Sequence, residues 1–283
     1  MRVTIQRCMV QQGIVSAEQE AAVLIMSGRV YVKGQRVRPG QMVPEDADIQ
    51  VKGLHERYVS KGGYKLEGAL RTFGVDVDGM VCIDAGASTG GFTDCLVKHG
   101  AQLVYAVDVG FGQLMGSLRQ DPRVVNLERT NIGDARLLSL SPRPHLGTVD
   151  LSYLSLTSAI PQFAAILGRQ GMLLCLVKPL FETDDHVARR AGVLAEDAYA
   201  PLLRGLISRI NAMDGCTVQA VCHSPVTGNQ GTVEFFLQVL LGGEQAAPDL
   251  EADIAGSVQA ALLLPNYRKT AFDVHEEDPI VPV

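Results

Sequence analysis

The fold of this chain turns on residues 82–94, CIDAGASTGGFTD: a short apolar run ending in Asp84, a loop of small residues, and a segment that opens a helix. This order predicts a strand, a glycine loop at its carboxyl end and a ligand held against the helix that follows. A phosphate-binding loop needs Gly-Lys-Ser/Thr at the helix start, where the lysine and the hydroxyl hold terminal phosphates and magnesium. Here Gly90-Gly91 is followed by Phe92, which disfavours a nucleoside triphosphate. The dinucleotide pattern GxGxxG fails too, because Ala85-Gly86-Ala87-Ser88-Thr89-Gly90-Gly91 spaces its glycines differently. The next strand, LVYAVDVG, ends in Asp108, a carboxylate placed to accept hydrogen bonds from ribose hydroxyls. Asp84, Asp94 and Asn131 complete a pocket for an amine, an amide edge or an adenine ring. The combination fits the adenosine and methionine parts of S-adenosylmethionine. On the loop alone, a generic nucleotide crevice without a methyl donor stays open.

Outward from this stretch, apolar strands and helices alternate: MVCIDAG, LVYAVDVG, VVNLERT, TVDLSYL, GMLLCLVKPL, TVQAVCHS and VEFFLQVLL, with helices from Gly91, through Leu118, near Ile160 and from Tyr199 to Asn211. The alternation predicts a mostly parallel, doubly wound sheet, with an antiparallel pair at its end. Before it, ERYVSKGGYKLEGALRTFGVDVDGM reads as a basic linker running into an amphipathic helix from about Tyr64 to Phe73. The first fifty residues read as a compact unit of their own. Apolar spacing through Ile14, Ala21, Ala22, Leu24 and Ile25 predicts a helix ended by Ser27-Gly28, and RVYVKGQRV predicts a hairpin turned at Lys33-Gly34. Past Gly242 the pattern decays, and NYRKTAFDVHEEDPIVPV reads as a loose extension.

At 283 residues, 47% hydrophobic and 20% charged, the chain has the composition of a packed protein rather than a disordered one. It lacks the roughly 20-residue apolar run that spans a bilayer, and MRVTIQRCMVQQG is not a signal peptide. These features predict a cytoplasmic protein without membrane insertion. Six scattered cysteines without a CxxC pair argue against a disulfide framework or a zinc site. His55, His99, His145, His186, His223 and His275 share no metal spacing, so no metal is expected. The flanks of Ser88 are not GxSxG, which disfavours a hydrolase. A net charge of −6 does not by itself suggest a polyanion partner. The first fifth of the chain is nevertheless locally basic, through Arg29, Lys33, Arg36, Arg38, Lys52, Arg57, Lys61 and Lys65. Helices followed by a small basic ribbon fit an RNA-contacting module, with Arg29, Lys33, Arg36, Arg57 and Lys61 as the candidate RNA contacts, although small folds of this kind also serve as dimerisation or protein-docking units.

Ligands of such sheets bind outside the carboxyl ends of the strands. Three charged residues fall there: Asp150 after TV, Lys178 closing LLCLVK, and Glu234 opening the last apolar strand. A lysine that ends so apolar a run is a poor surface residue, and Pro179 fixes the direction of the chain after it. In-line transfer of a methyl group to an alcohol needs the oxygen aligned with the methyl carbon and relieved of its proton. A lysine can take that proton where burial or a second cation favours its neutral form. Lys65 is the candidate second cation, with Asp150 and Glu234 as orienting carboxylates. Each of the four also reads as half of a structural ion pair.

Several long motifs in order carry a resemblance: YVSKGGYKLEGAL, DAGASTGGFTDCL, YAVDVGFGQL, DPRVVNLERTNI, VDLSYLSL, LVKPLFE and SPVTGNQGTVEFFL. Over roughly residues 1–240 the chain resembles the TlyA (hemolysin A-like) family, an N-terminal S-four-type RNA-binding domain joined to an FtsJ-like methyltransferase domain. The resemblance implies an α/β fold, a Rossmann-like doubly wound methyltransferase sheet with a small N-terminal α+β RNA-binding-type domain. Its bounds are 1–56 for the S-four-like domain, 57–79 for the basic linker and helix, 80–242 for the methyltransferase and 243–283 for a C-terminal extension. It implies S-adenosylmethionine-dependent 2'-O-methylation of cytidine in ribosomal RNA. The family's Lys-Asp-Lys-Glu catalytic set falls on Lys65, Asp150, Lys178 and Glu234. Its methyl-donor loop falls on Gly86, Ser88, Thr89, Gly90, Gly91, Phe92, Thr93 and Asp94, with Ala87 between them and Asp108 on the ribose. The departures gather at the front. The family's usual Arg-Leu-Asp appears as Thr4-Ile5-Gln6, its Ser-Arg as Ala17-Glu18, the Arg after Asn-Ile as Gly133, and a lysine-rich turn as ARRAGVL. Two alternatives therefore accompany an acceptor in ribosomal RNA or the ribosomal subunits: a small-molecule substrate, and a non-enzymatic binding or membrane-active protein of the hemolysin kind.

Overall fold

The structure, a computed structural model, describes residues 2–12, 14–15, 17–26, 28–45, 47–51, 57–228, 231–242, 246–265 and 267. Ser27, Lys52, His55 and all of the tail 266–283 except Tyr267 lie outside the described residues. The chain divides into two compact units, Met1–Arg57 and Tyr58–Val283.

The first unit runs β1 (Arg2–Thr4), α1 (Ile5–Gln11), α2 (Glu18–Met26), β2 (Val30–Val32), β3 (Gln35–Arg36), β4 (Met42–Pro44) and β5 (Ile49–Val51). β1 pairs with β4, and β2 lies between β3 and β5, all antiparallel. The hairpin turn combines Lys33 at φ 51° with Gly34 at φ 72°, the two left-handed residues that a tight two-residue turn demands. Ile5, Cys8 and Met9, at helical spacing, are fully buried with Ala21, Ile25 and Val30. The apolar spacing predicts one helix through Ile14, but α2 starts at Glu18. The Ile14 N–H is instead spent on the Met9 carbonyl at the end of α1, 2.9 Å away. Thr4 and Gln6, two of the N-terminal departures, have local partners: Thr4 Oγ1 accepts from the Arg7 N–H at the start of α1, and Gln6 Oε1 accepts from the Gly40 N–H.

The second unit opens with α3 (Lys61–Phe73) and alternates β6 (Val81–Ala85), α4 (Gly91–Lys98), β7 (Leu103–Val107), α5 (Gly116–Arg119), β8 (Val124–Leu127), β9 (Leu146–Val149), α6 (Leu156–Ile166), β10 (Gly171–Val177), α7 (Pro179–Glu182), α8 (His186–Ala191), α9 (Tyr199–Asn211), β11 (Cys216–His223), β12 (Phe235–Leu241) and α10 (Glu251–Leu262). The seven strands form one sheet in the order β11-β12-β10-β9-β6-β7-β8, parallel except where β12 runs against β10 and β11. Both faces are covered, which is why β10 reads as the unbroken apolar run GMLLCLV. Leu173, Cys175 and Val177 point into one core with Phe163, Leu203 and Phe235, while Leu174 and Leu176 point into the other with Leu66, Leu96 and Phe236. Helices α6, α9 and α10 cover the first face; α3, α4 and α5 cover the second. α10 forms where the periodic pattern of the sequence fades, and packs on α9 and β11 through Ile254, Val258 and Ala261. All six cysteines are buried free thiols. Among the described residues no helix is long and apolar enough to cross a membrane.

Candidate active site

Strand register decides which charged ends meet. Ala85 is the partner of both Val107 and Val149, and Cys175 is the partner of Val149. The residues that leave these strands, Asp108 and Asp150, therefore emerge at one edge of the sheet. Val177 lies opposite Phe235 in the antiparallel pair, so Lys178 leaving β10 and Glu234 entering β12 emerge side by side at the same edge. Lys178 occupies the N-cap position of α7, and Pro179 fills the first helical position, where its missing N–H costs nothing.

The four residues form two ion pairs. Lys178 Nζ lies 2.5 Å from Asp150 Oδ1, and Lys65 Nζ, on α3, lies 2.5 Å from Glu234 Oε2. Their side chains are only 17%, 24%, 11% and 6% exposed in that order, so solvent screens them weakly. Burial pushes the Glu234 carboxyl above the usual carboxylate range against the opposing pull of Lys65; Asp150 raises it further and Lys178 lowers it. The two pairs thus share one electrostatic field. Glycines permit the crowding. A Cβ on Gly86 would lie 2.3 Å from the Asp150 carbonyl oxygen, one on Gly228 2.4 Å from Glu234 Oε1, and one on Gly68 of α3 2.7 Å from the Pro225 ring.

The glycine loop joins the site through Asp108. Gly86, Ser88 and Gly90 all have left-handed backbone, at φ 84°, 48° and 97°. This folds the loop back so that the Ser88 N–H donates to Asp108 Oδ2 at 2.8 Å, while the Gly110 N–H donates to Asp108 Oδ1 at 2.6 Å. Each Asp108 oxygen keeps a further lone pair, and the side chain is only half buried. Ser88 and Thr89 are exposed, as is Asn131, whose Oδ1 accepts from the Gly133 N–H and whose amide N–H groups remain for a ligand.

The other residues singled out in the loop face inward and brace it. Asp84 is fully buried and accepts from the hydroxyls of Thr93 at 2.6 Å and Thr148 at 2.9 Å. Its carboxyl is pushed up to about 6, chiefly by burial, with the two threonines opposing and Asp150 adding to the rise. Asp94 Oδ2 accepts from the Val59 N–H and from Lys98 Nζ, both at 2.9 Å. Phe92 packs against Phe236 with ring centroids 5.9 Å apart. Gly91 lets α4 approach the start of α3: a Cβ there would meet Ser60 Oγ at 2.2 Å and the Gly62 Cα at 3.0 Å.

The basic candidates are divided between the units. Arg29, Lys33, Arg36 and Arg57 lie in the first, Lys33 at the tip of the hairpin turn; Lys61 opens α3 in the second. All but the half-buried Arg29 are exposed. Three residues that sequence reasoning missed also belong to the site: Ser152 accepts from Lys178 Nζ at 2.9 Å, Gln113 Oε1 accepts from the Ser88 hydroxyl, and the Tyr153 phenol is pushed up by burial and by the charge of Asp108. Their one signal was position, two or three residues past Asp150 or a few past Asp108.

The FtsJ-like methyltransferase family matches residues 58–239, from the first residue of the second unit almost to the end of β12. The chain is 40% identical over 235 residues to the 16S/23S rRNA (cytidine-2'-O)-methyltransferase TlyA of Mycobacterium tuberculosis, covering 81% of this chain and 86% of that protein. It is 35% identical over 234 residues to Hemolysin A of Brachyspira hyodysenteriae, covering 81% and 96%. A solved structure of a candidate hemolysin from Streptococcus thermophilus superposes with a TM-score of 0.67 at 33% identity, over 92% of this chain and 95% of that one. With a family match across the second unit and relatives of this identity across both, the chain belongs to the FtsJ-like methyltransferase family and stands among its TlyA proteins.

Proposed function

We propose that the protein is an S-adenosylmethionine-dependent methyltransferase that methylates the 2'-hydroxyl of a cytidine in ribosomal RNA, acting in the cytoplasm on the ribosome or its subunits. The observation that carries this reading is the pairing of Lys178 with Asp150 and Lys65 with Glu234 at the sheet edge beside the glycine loop. The mycobacterial TlyA relative and another TlyA, both named rRNA (cytidine-2'-O)-methyltransferases, supply the acceptor.

The residues present fit the methyl donor. Asp108, half exposed with lone pairs to spare, suits the two hydroxyls of a ribose. The exposed Ser88-Thr89 backbone and the Asn131 amide offer polar groups for the rest of the molecule. When bound, S-adenosylmethionine supplies an electrophilic methyl carbon. The chain's own residues handle the acceptor. Lys178 Nζ receives the hydroxyl proton as the oxygen attacks, and Asp150, fixed beside it, orients the amine and stabilises the charge it gains. Lys65, held by the buried Glu234, supplies a second cation facing the same edge. Asp84, Gly91, Phe92, Thr93 and Asp94 keep the loop in shape from beneath. Arg29, Lys33, Arg36, Arg57 and Lys61 are assigned to the RNA phosphates.

The sequence departures at Thr4-Ile5-Gln6 and Ala17-Glu18 favour a second reading, in which the acceptor is a small molecule. Incubation with labelled S-adenosylmethionine and either ribosomal subunits or a metabolite extract separates the two. Label recovered as 2'-O-methylcytidine in ribosomal RNA is the expected result. Label confined to metabolites would transfer the assignment to the second reading, and label in neither would overturn both.

A further inference from the structure

We infer that Ser152 is a positioning residue for methyl transfer, fixing the direction from which the acceptor hydroxyl meets the Lys178 amine. The inference rests on the reading of Lys178 above and adds a residue to it.

A neutral lysine amine, the form that accepts the hydroxyl proton, has two N–H directions and one lone pair around Nζ. Ser152 Oγ accepts from one N–H at 2.9 Å, and Asp150 Oδ1 makes a close ion-pair contact at 2.5 Å. The hydrogen bond to Ser152 fixes the rotation of the amine about Cε–Nζ and so the direction of its lone pair. Among the described residues no further polar group meets the amine. The Phe181 ring, 6.0 Å from Nζ to its centroid, sits at the outer limit of cation–π attraction and restrains the amine little. The lone pair is thus the direction by which the amine reaches a substrate oxygen, and the Ser152 hydrogen bond sets it beside the Asp150 contact. Asp150 alone would leave the amine free to turn about Cε–Nζ.

The local chain geometry supports the arrangement. Asp150, Leu151 and Ser152 follow directly as the chain leaves β9. Leu151, 6% exposed, turns into the core, while Asp150 and Ser152 both reach the amine. Ser152 itself is exposed and makes no other polar contact among the described residues. A hydroxyl with only a surface role would have no need to face a lysine that is 17% exposed. In-line transfer depends steeply on alignment, so a looser amine slows the chemical step while leaving both binding steps intact.

The test compares wild type, Ser152→Ala and Ser152→Thr in the full-length protein with two readouts. In labelled-donor assays on ribosomal subunits, Ser152→Ala should lower kcat about tenfold, the weight of one hydrogen bond, with KM for the subunits and donor Kd unchanged. Ser152→Thr, which keeps the hydroxyl, should restore most of the loss. Independently of activity, trace labelling with acetic anhydride, read by mass spectrometry of the Lys178 peptide, should be faster in Ser152→Ala and return toward wild type in Ser152→Thr. Ser152 is exposed, so truncation spares the fold, and matching thermal melts verify this. A Ser152→Ala enzyme that equals wild type in kcat and in Lys178 labelling would overturn the inference, as would a loss of donor affinity in step with kcat. Lys178 labelling that responds as expected in a wild-type protein that transfers nothing to RNA would instead leave Ser152 in its role and remove the RNA acceptor.

Discussion

Asp84 shows how far a residue's place can depart from what its sequence position suggests. At the carboxyl end of the first sheet strand a carboxylate looks like a ligand group, yet its oxygens are taken by Thr93 and Thr148 and it is fully buried. Its carboxyl, at 3.8 in a free side chain, is pushed up to about 6. Between those values the folded protein holds a proton that the unfolded chain releases, so stability falls as pH rises through the window and levels off above it. We predict that Asp84→Asn removes this slope. Urea melts below pH about 4 and above about 6 check it: wild type loses more stability across the interval than the variant. Gly86 makes the complementary case. Its φ of 84° and the 2.3 Å approach of the Asp150 carbonyl leave no room for a side chain. Gly86→Ala should cost about 1–3 kcal/mol of stability and displace Asp150, lowering methyl transfer as well. Both residues stood out in the sequence, but the contact between them, across 64 positions, did not.

At the scale of elements, the junction of α3 and α4 joins Lys65 to the glycine loop. α3 carries Lys65, and α4 begins where the glycine loop ends. The two approach through Ser60, Gly62 and Gly91, with Asp94 of α4 tied to the Val59 N–H before α3. A methyl group at Gly91 has nowhere to go without parting backbone from backbone. Gly91→Ala should therefore destabilise by about 1–3 kcal/mol and weaken donor binding. Gly116→Ala, in the first turn of α5 with open space around its Cβ position, should be neutral or slightly stabilising. Paired thermal melts and donor titrations distinguish a crossing that requires glycine from a general intolerance. These elements were unequally legible. The strands of the large sheet could be read because both faces are buried and the sequence is apolar throughout. α1 and α10 escaped because IQRCMVQ spans only seven residues and EADIAGSVQAAL sets its two larger buried residues, Ile254 and Val258, among small ones.

At the scale of the molecule, the charged strand ends were legible because one topology rule places them at one edge. Their pairing was not. Sequence reasoning set Lys65 beside Lys178 as a second cation, while the structure gives each lysine its own carboxylate through a strand register that no local pattern encodes. The net charge of −6 makes RNA contact a local matter. If the hairpin cations meet phosphates, Lys33→Ala and Arg36→Ala should each reduce the salt slope of subunit binding by about 1 while leaving donor affinity unchanged. An unaltered slope would take the first unit out of RNA recognition. The central claim, that Lys178 performs transfer rather than supporting the fold, is tested most directly by measuring donor binding calorimetrically and single-turnover methylation together in Lys178→Ala. The account predicts donor affinity within about threefold of wild type and transfer reduced about a thousandfold. Donor binding that collapses with activity, or transfer that persists, would contradict it.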